Sequence, residues 1–174
     1  MSIRKYTNGV TLFEMILSIG IGSLLLMVLV STIALMFESR IQQTLVKEVM
    51  ESGTVILDLM MGSAEHASQI TNPTKGESDD IFEVRIDPSD TSGNLEYFSW
   101  DPDTLEFIGA GQDGVLTLLN NDHVTITDFI VKNISQDTGA DMATFSLTVQ
   151  AENTIRPDYR YLHTFNGLLR VGYE

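Results

Sequence analysis

Between Glu14 and Glu38 the chain runs through 23 residues, Met15 to Phe37, without a charge or a proline, and most of them are Leu, Ile, Val or Met. A helix crosses the hydrocarbon core of a bilayer with ~20 apolar residues. The core helix of a soluble domain seldom stays apolar on every face for six turns, so the segment reads as a membrane-spanning helix. After Glu38 the pattern turns amphipathic: Ile41, Leu45, Val49, Ile56 and Met60 recur at helical spacing, with Arg40, Gln43, Lys47, Glu48 and Glu51 interleaved. No proline occurs before Pro73. One helix from Val10 to about Ile70 is therefore predicted, ~90 Å long at 1.5 Å per residue, with Gly53 and Gly62 as weak points. The apolar face of Ile41 to Ile70 is expected to pack against the chain's own later strands, a partner-helix surface being the alternative.

From Asn72 the period changes to two. Ile81 to Ile86 alternates, and Leu95 to Trp100 and Leu105 to Ile108 flank Asp101-Pro102-Asp103-Thr104, which reads as a hairpin with a type I turn. Val115 to Leu119, Val124 to Ile134, Met142 to Ala151 and Tyr159 to Val171 bring the set to about six or seven strands, rich in β-branched and aromatic residues. The fold class is α+β: a long amino-terminal helix, its second half packed on a small antiparallel sheet.

Charge sharpens this division. The whole chain carries 10 Lys+Arg against 24 Asp+Glu, a formal net charge of -14. Glu51 to Glu174 holds 21 Asp+Glu against 6 Lys+Arg, whereas Met1 to Met50 holds 3 against 4. Scattered bases on an acidic domain argue against nucleic acid and against anionic headgroups as partners, both of which need clustered Lys/Arg. The absence of Cys removes disulfides, thiolate metal sites and Cys nucleophiles together.

A cleaved secretory signal fits poorly, because the apolar run is too long, no small-residue site follows Phe37, and Glu14 sits near its start. Lys/Arg counting hardly orients the span, since Arg4 and Lys5 precede it and Arg40 and Lys47 follow it. The free amino terminus and the large acidic domain place the amino terminus in the cytoplasm and that domain outside.

The junction Arg4-Lys5-Tyr6-Thr7-Asn8-Gly9-Val10-Thr11-Leu12-Phe13-Glu14 joins a short basic leader, a glycine, an apolar start and one carboxylate. A carboxylate in a membrane helix costs ~2.5 kcal/mol or more at its centre and less at its edge. A capping box accounts for its tolerance: Thr11 as N-cap and Glu14 three residues on match S/T-x-x-E. With the leader and the uninterrupted span, Gly9-Val10-Thr11-Leu12-Phe13-Glu14 resembles the start of the type IV pilin family, including the pseudopilins of type II secretion.

The resemblance implies cleavage after Gly9 by a prepilin peptidase, methylation of the new amino terminus at Val10, and pairing of Glu14 with the amino terminus of a neighbouring subunit. Opposite charges attract strongly in low dielectric, and such pairing is compatible with capping by Thr11. The implied organisation is a leader at 1–9, an assembly and transmembrane helix at 10–37, its amphipathic continuation at 38–71, and an acidic β-rich extracytoplasmic head at 72–174. Implied partners are other pilin or pseudopilin subunits, the peptidase, an inner-membrane assembly platform, and membrane lipid before assembly. The order of hairpin, loop and long final strands is more similar to minor pilins and J-type pseudopilins than to a compact major pseudopilin.

Catalytic signatures are lacking in the sequence. His66, His123 and His163 have no metal-ligand spacing, and neither G-x-S-x-G nor a P-loop occurs, so no enzyme activity and no cofactor is expected. Acidic clusters at Asp79-Asp80, Asp87 to Asp90, Asp101-Asp103 and Asn120-Asn121-Asp122 offer the hard oxygens that calcium takes, as in some pseudopilins, but none has the D-x-[DN]-x-[DN]-G spacing and solvated turn carboxylates are the default. Asn133-Ile134-Ser135 is a glycosylation sequon too short to act on alone. Two competing readings remain: a permanently anchored binding or sensor domain with an uncleaved leader, and a membrane-tethered hydrolase built on a carboxylate pair.

Overall fold

The computed structural model describes residues 11–86, 95–104, 106–110, 115–120, 123–136 and 139–172. They fall into two units that divide between Ile41 and Gln42. Helix α1, Leu12–His66, is unbroken over its 55 residues. It begins on Thr11, whose carbonyl accepts from the Met15 amide (3.1 Å). Val10, the expected first residue, lies outside the described residues.

The helix ends at His66, short of the expected Ile70. Tertiary pairing takes over there: the Ser68 amide and hydroxyl both donate to the Arg85 carbonyl (2.7 and 2.9 Å), and Gln69–Asn72 becomes strand β1. Sheet bonds satisfy these backbone groups as well as another helical turn would.

In the first unit the described residues Thr11 to Phe37 are all exposed. The second unit buries one face of α1 through Leu45, Val49, Ser52, Gly53, Ile56, Met60 and Ala64. Own-chain packing of the amphipathic stretch is thus what the structure shows. Gly53 is not the weak point its helix propensity suggests. A Cβ there would overlap the ring of Phe165 on the last strand, so glycine is what lets the helix approach the sheet.

The remaining strands are β2 (Ser78–Asp79), β3 (Ile81–Arg85), β4 (Leu95–Asp101), β5 (Glu106–Ala110), β6 (Leu116–Leu118), β7 (Val124–Asn133), β8 (Met142–Glu152) and β9 (Arg160–Arg170). They form two antiparallel sheets, ordered β1-β3-β4-β5-β6 and β2-β7-β8-β9, where the sequence pattern predicts a single small sheet of six or seven strands. The short strands β1 and β2 lack the alternation that identifies the others. They are held by long-range bonds: the Ile70 amide donates to Asp141 Oδ2 (3.1 Å), the Gly76 amide donates to the Asn133 carbonyl (3.0 Å), and the Asn133 amide donates to the Glu77 carbonyl (3.1 Å).

Alternation sets the core. Strand β8 buries Ala143, Phe145, Leu147, Val149 and Ala151 and turns the intervening residues outward. Its neighbour β7 buries Val124, Ile126, Phe129, Val131 and Asn133, with a register shift between Ile126 and Asp128 that keeps both halves facing inward. The two sheets meet through a ladder of rings, Phe82, Phe98, Phe107 and Phe129, whose centroids lie 6.4, 6.3 and 4.8 Å apart in succession. Trp100 at the same junction donates its Nε1–H to the Ile126 carbonyl (2.9 Å).

Candidate functional site

At the start of α1 the Glu14 amide donates to Thr11 Oγ1 (3.3 Å), so Thr11 occupies the N-cap and Glu14 the third helical position. A cap of this kind stabilises a helix by ~1 kcal/mol. Thr11 and Glu14 are therefore brought together as the sequence predicts, while Gly9 and Val10 lie outside the described residues. Both described residues are exposed. The cap uses the Glu14 amide, and its carboxylate takes no part in that bond.

Beyond the cap the helix is a rod of apolar side chains exposed on every face, from Leu12 at 78% and Phe13 at 75% to Met36 at 64%. It is long and apolar enough to cross a membrane. Three of its hydroxyls bond internally: Ser23 Oγ donates to the Ile19 carbonyl (2.8 Å), Ser31 Oγ to Met27 (2.9 Å) and Thr32 Oγ1 to Val28 (2.8 Å). Hydroxyls bonded to their own helix need no water, which suits a hydrocarbon environment.

A hollow interrupts the rod. Phe13, Ile16, Leu17, Gly20, Ile21 and Leu24, spaced i, i+3, i+4, i+7, i+8 and i+11, enclose an apolar notch of about 250 Å³. Gly20 is the residue whose missing side chain opens this face, and the helical spacing of its larger neighbours was the available signal.

The acidic clusters of the head take structural parts where they are described. Asn72 Nδ2 donates to Asp79 Oδ2 (2.8 Å) and to the Ile81 carbonyl (3.0 Å), and the Asp80 amide donates to Asp79 Oδ1 (2.8 Å). The Asn72 bond, more than any other contact, holds the Asp79 carboxyl below the usual carboxylate range. Its hydrogen bond with Asp79, aided by burial, pushes the Asp80 carboxyl up. Asp101 Oδ1 accepts from the Asp103 amide (2.9 Å) across the β4–β5 turn, and that bond lowers its pKa. Asn120 links the Phe107 amide to the Val124 carbonyl. Asp87 to Asp90, Asn121 and Asp122 lie outside the described residues.

Among the described residues no three His, Asp or Glu side chains converge as a metal site would need. His66 bonds the Gly62 carbonyl at the end of α1 (2.8 Å). His163 stands between Tyr161 and Phe165 on β9, with ring centroids at 6.4 and 4.7 Å. Asn133 of the sequon is buried: its Nδ2 donates to the Pro73 carbonyl (2.8 Å) and its Oδ1 accepts from the Ser135 amide (3.0 Å). The folded head therefore keeps that amide from a glycosylating enzyme.

No protein-family model matches this chain, and no curated protein or solved structure matches it.

Proposed function

We propose that the chain is a pilin-like structural subunit of a type IV pilus or a type II secretion pseudopilus, of minor or J-type pseudopilin character. It is inserted in the cytoplasmic membrane with its amino terminus inside and its acidic head outside. A prepilin peptidase cuts after Gly9 and methylates Val10, and an inner-membrane platform then draws the subunit into a helical bundle. Its work is assembly, not catalysis.

The observation that carries this reading is the first half of α1, which is exposed around its full circumference and carries one exposed acidic residue, Glu14, at its start. Lipid accounts for the apolar surface before assembly, and the equivalent helices of other subunits account for it afterwards. Neither lipid nor apolar packing accounts for Glu14. A cation at the same depth does, and the amino terminus of a cut neighbour, four residues before Glu14 in its own chain, supplies one. The Gly20 notch gives a neighbouring side chain room to seat.

Intact-mass measurement of the membrane-expressed chain, with and without a prepilin peptidase, tests the reading. Loss of Met1 to Gly9 only with the peptidase supports it; an untouched leader beside an active peptidase favours the permanently anchored binding domain. Glu14→Gln separates the steps further. That variant is expected to be cut normally and to enter filaments poorly, and normal incorporation would remove Glu14 from the assembly mechanism.

A further inference from the structure

Strand β9 runs in the same direction as the second half of α1. Tyr161 near its start lines a cleft of about 460 Å³ with Gln42, Leu45 and Val46 of the helix. Phe165 at its middle packs on Gly53, and Leu169 near its end shares a second cleft with Met61 and Ala64. The loop that joins β8 to β9, residues 153–159, therefore sits at the Gln42 end of the head, and its Asp158 and Tyr159 line the same cleft as Gln42. Gln42 follows Phe37, the last residue of the uncharged apolar run, by five positions. Five residues reach no more than about 18 Å even when fully extended. By connectivity alone the loop is kept near the surface of a bilayer that residues 15–37 cross.

This loop carries an apolar side chain without cover. Ile155 is 87% exposed, more than any other Leu, Ile, Val, Met or Phe among the described residues, those of the apolar run included. The backbone around it is already bonded. The Ile155 and Arg156 amides both donate to Asn153 Oδ1 (3.0 and 2.9 Å), the Asn153 amide donates to the Tyr159 carbonyl (3.0 Å), and the Tyr159 amide donates to the Arg156 carbonyl (3.0 Å). Pro157 has no amide hydrogen to satisfy. Unbonded amides are what make a loop costly to bring against hydrocarbon, and bonds made inside the loop lower that cost.

Charge permits the same approach. Residues 152–160 set Glu152 and Asp158 against Arg156 and Arg160, a neutral stretch in a region, 51–174, that holds 21 Asp+Glu against 6 Lys+Arg. The Arg156 guanidinium lies 6.0 Å from the centre of the Tyr159 ring. Both side chains have an apolar body and a polar tip, which suits the headgroup layer beside an immersed Ile. A neutral stretch does not select anionic lipid, so the surface that fits it is zwitterionic.

We propose that the 153–159 loop is a second membrane contact of the chain: Ile155 enters the interface of the bilayer that the same chain spans, with Arg156 and Tyr159 at headgroup level. The proposal rests on the reading of residues 15–37 as a membrane span and is indifferent to cleavage after Gly9.

Because the chain has no Cys, a nitroxide can be attached at single introduced cysteines. Thr154→Cys reports beside Ile155, Leu26→Cys reports on the span, and Gly139→Cys, where an added side chain meets open space, reports from beyond the opposite end of β8. The full chain is placed one per nanodisc in phosphatidylcholine. EPR power saturation then measures the access of each label to oxygen, which concentrates in lipid, and to a water-soluble nickel chelate. The oxygen-to-nickel ratio at Thr154→Cys is expected to lie severalfold above that at Gly139→Cys and below that at Leu26→Cys. Adding Ile155→Asp should bring the Thr154→Cys ratio down to the Gly139→Cys value with the head's circular dichroism unchanged, and Ile155→Leu should preserve it. Equal ratios at Thr154→Cys and Gly139→Cys beside a high one at Leu26→Cys overturn the proposal and leave the span standing; a low ratio at Leu26→Cys overturns both. A Thr154→Cys label shielded from oxygen and nickel alike would give the loop to a protein contact. A ratio that rises only when phosphatidylglycerol is added would give it to charge attraction by the arginines, and either result overturns the proposal.

Discussion

Two stretches of the same helix, Leu12 to Met36 and Leu45 to Ala64, contain the same kinds of apolar residue and meet opposite surroundings. Leu26 is 65% exposed and Leu45 is 4% exposed. In the second stretch apolar residues recur on one face, and strands of the same chain cover that face. In the first they occupy every face, and no single sheet surface covers all sides of a helix. Soluble proteins seldom expose a contiguous apolar patch beyond a few hundred Å². The contrast teaches that apolar composition fixes the need for cover, while its angular spread decides whether the chain's own fold or something outside it, lipid or other chains, supplies that cover.

The largest effect that should separate the regions is core truncation. Phe129→Ala removes a fully buried ring at the junction of the two sheets, and it is expected to cost the head about 3–5 kcal/mol in urea unfolding followed by Trp100 fluorescence. Leu29→Ala in the exposed stretch should leave that stability within about 0.5 kcal/mol. Equal losses would mean that the exposed stretch belongs to the head's cooperative unit, and the comparison would fail.

Charge insertion runs the other way. Leu26→Arg should oppose insertion by about 2.5–3.5 kcal/mol and shift the protein out of the carbonate-resistant membrane fraction, with no change in head stability. Thr125→Arg, on the exposed side of β7, should leave fractionation untouched. Full membrane retention of Leu26→Arg would count against the span.

A finer probe lies where helix and sheet touch. Gly53→Ala gains up to about 1 kcal/mol of helix propensity, yet it must displace the Phe165 ring at a cost of about 1–3 kcal/mol. The variant should be less stable than the parent. In combination with Phe165→Ala the Gly53 substitution should become neutral or favourable, a coupling of at least about 0.5 kcal/mol in a double-mutant cycle. Additive effects would show that the ring relaxes freely.

The smallest effect concerns pH. The lowered pKa of Asp79 gives stability that is fully present above the ordinary carboxylate pKa and lost as pH falls through the folded value. The raised pKa of Asp80 has the opposite sign: its stability is present in acid and lost as pH rises through the folded value. Asp79→Asn should therefore lower Tm at pH 7 and flatten its acid loss, and Asp80→Asn should raise Tm slightly at pH 7. Shifts of the same sign for both variants would contradict the arrangement around Asn72.

Much of this was readable in residue order. Met15 to Phe37 announced an uncovered helix, and β3, β4, β7, β8 and β9 lie within a residue or two of where period-two alternation places them. Thr11 capping Glu14 follows from S/T-x-x-E, since both partners sit within one turn. Strands β1 and β2 were invisible because their bonds come from Glu83 to Arg85 and from Val131 and Lys132, far along the chain. For the same reason Gly53 read as a weakness, although it is the point of closest approach to Phe165.

Sequence by itself determined the properties that depend on neighbours three or four residues away, or two: where the long helix and the longer strands lie, which faces are apolar, where the helix is capped and where the charge lies. Only the tertiary structure decided that the strands divide into two sheets, that β9 comes last in the order of one of them, and that Asn133 and Asp141 tie remote turns together. Those outcomes depend on which distant surfaces fit, and fit between surfaces is set by packing and register, which no local pattern of residues encodes.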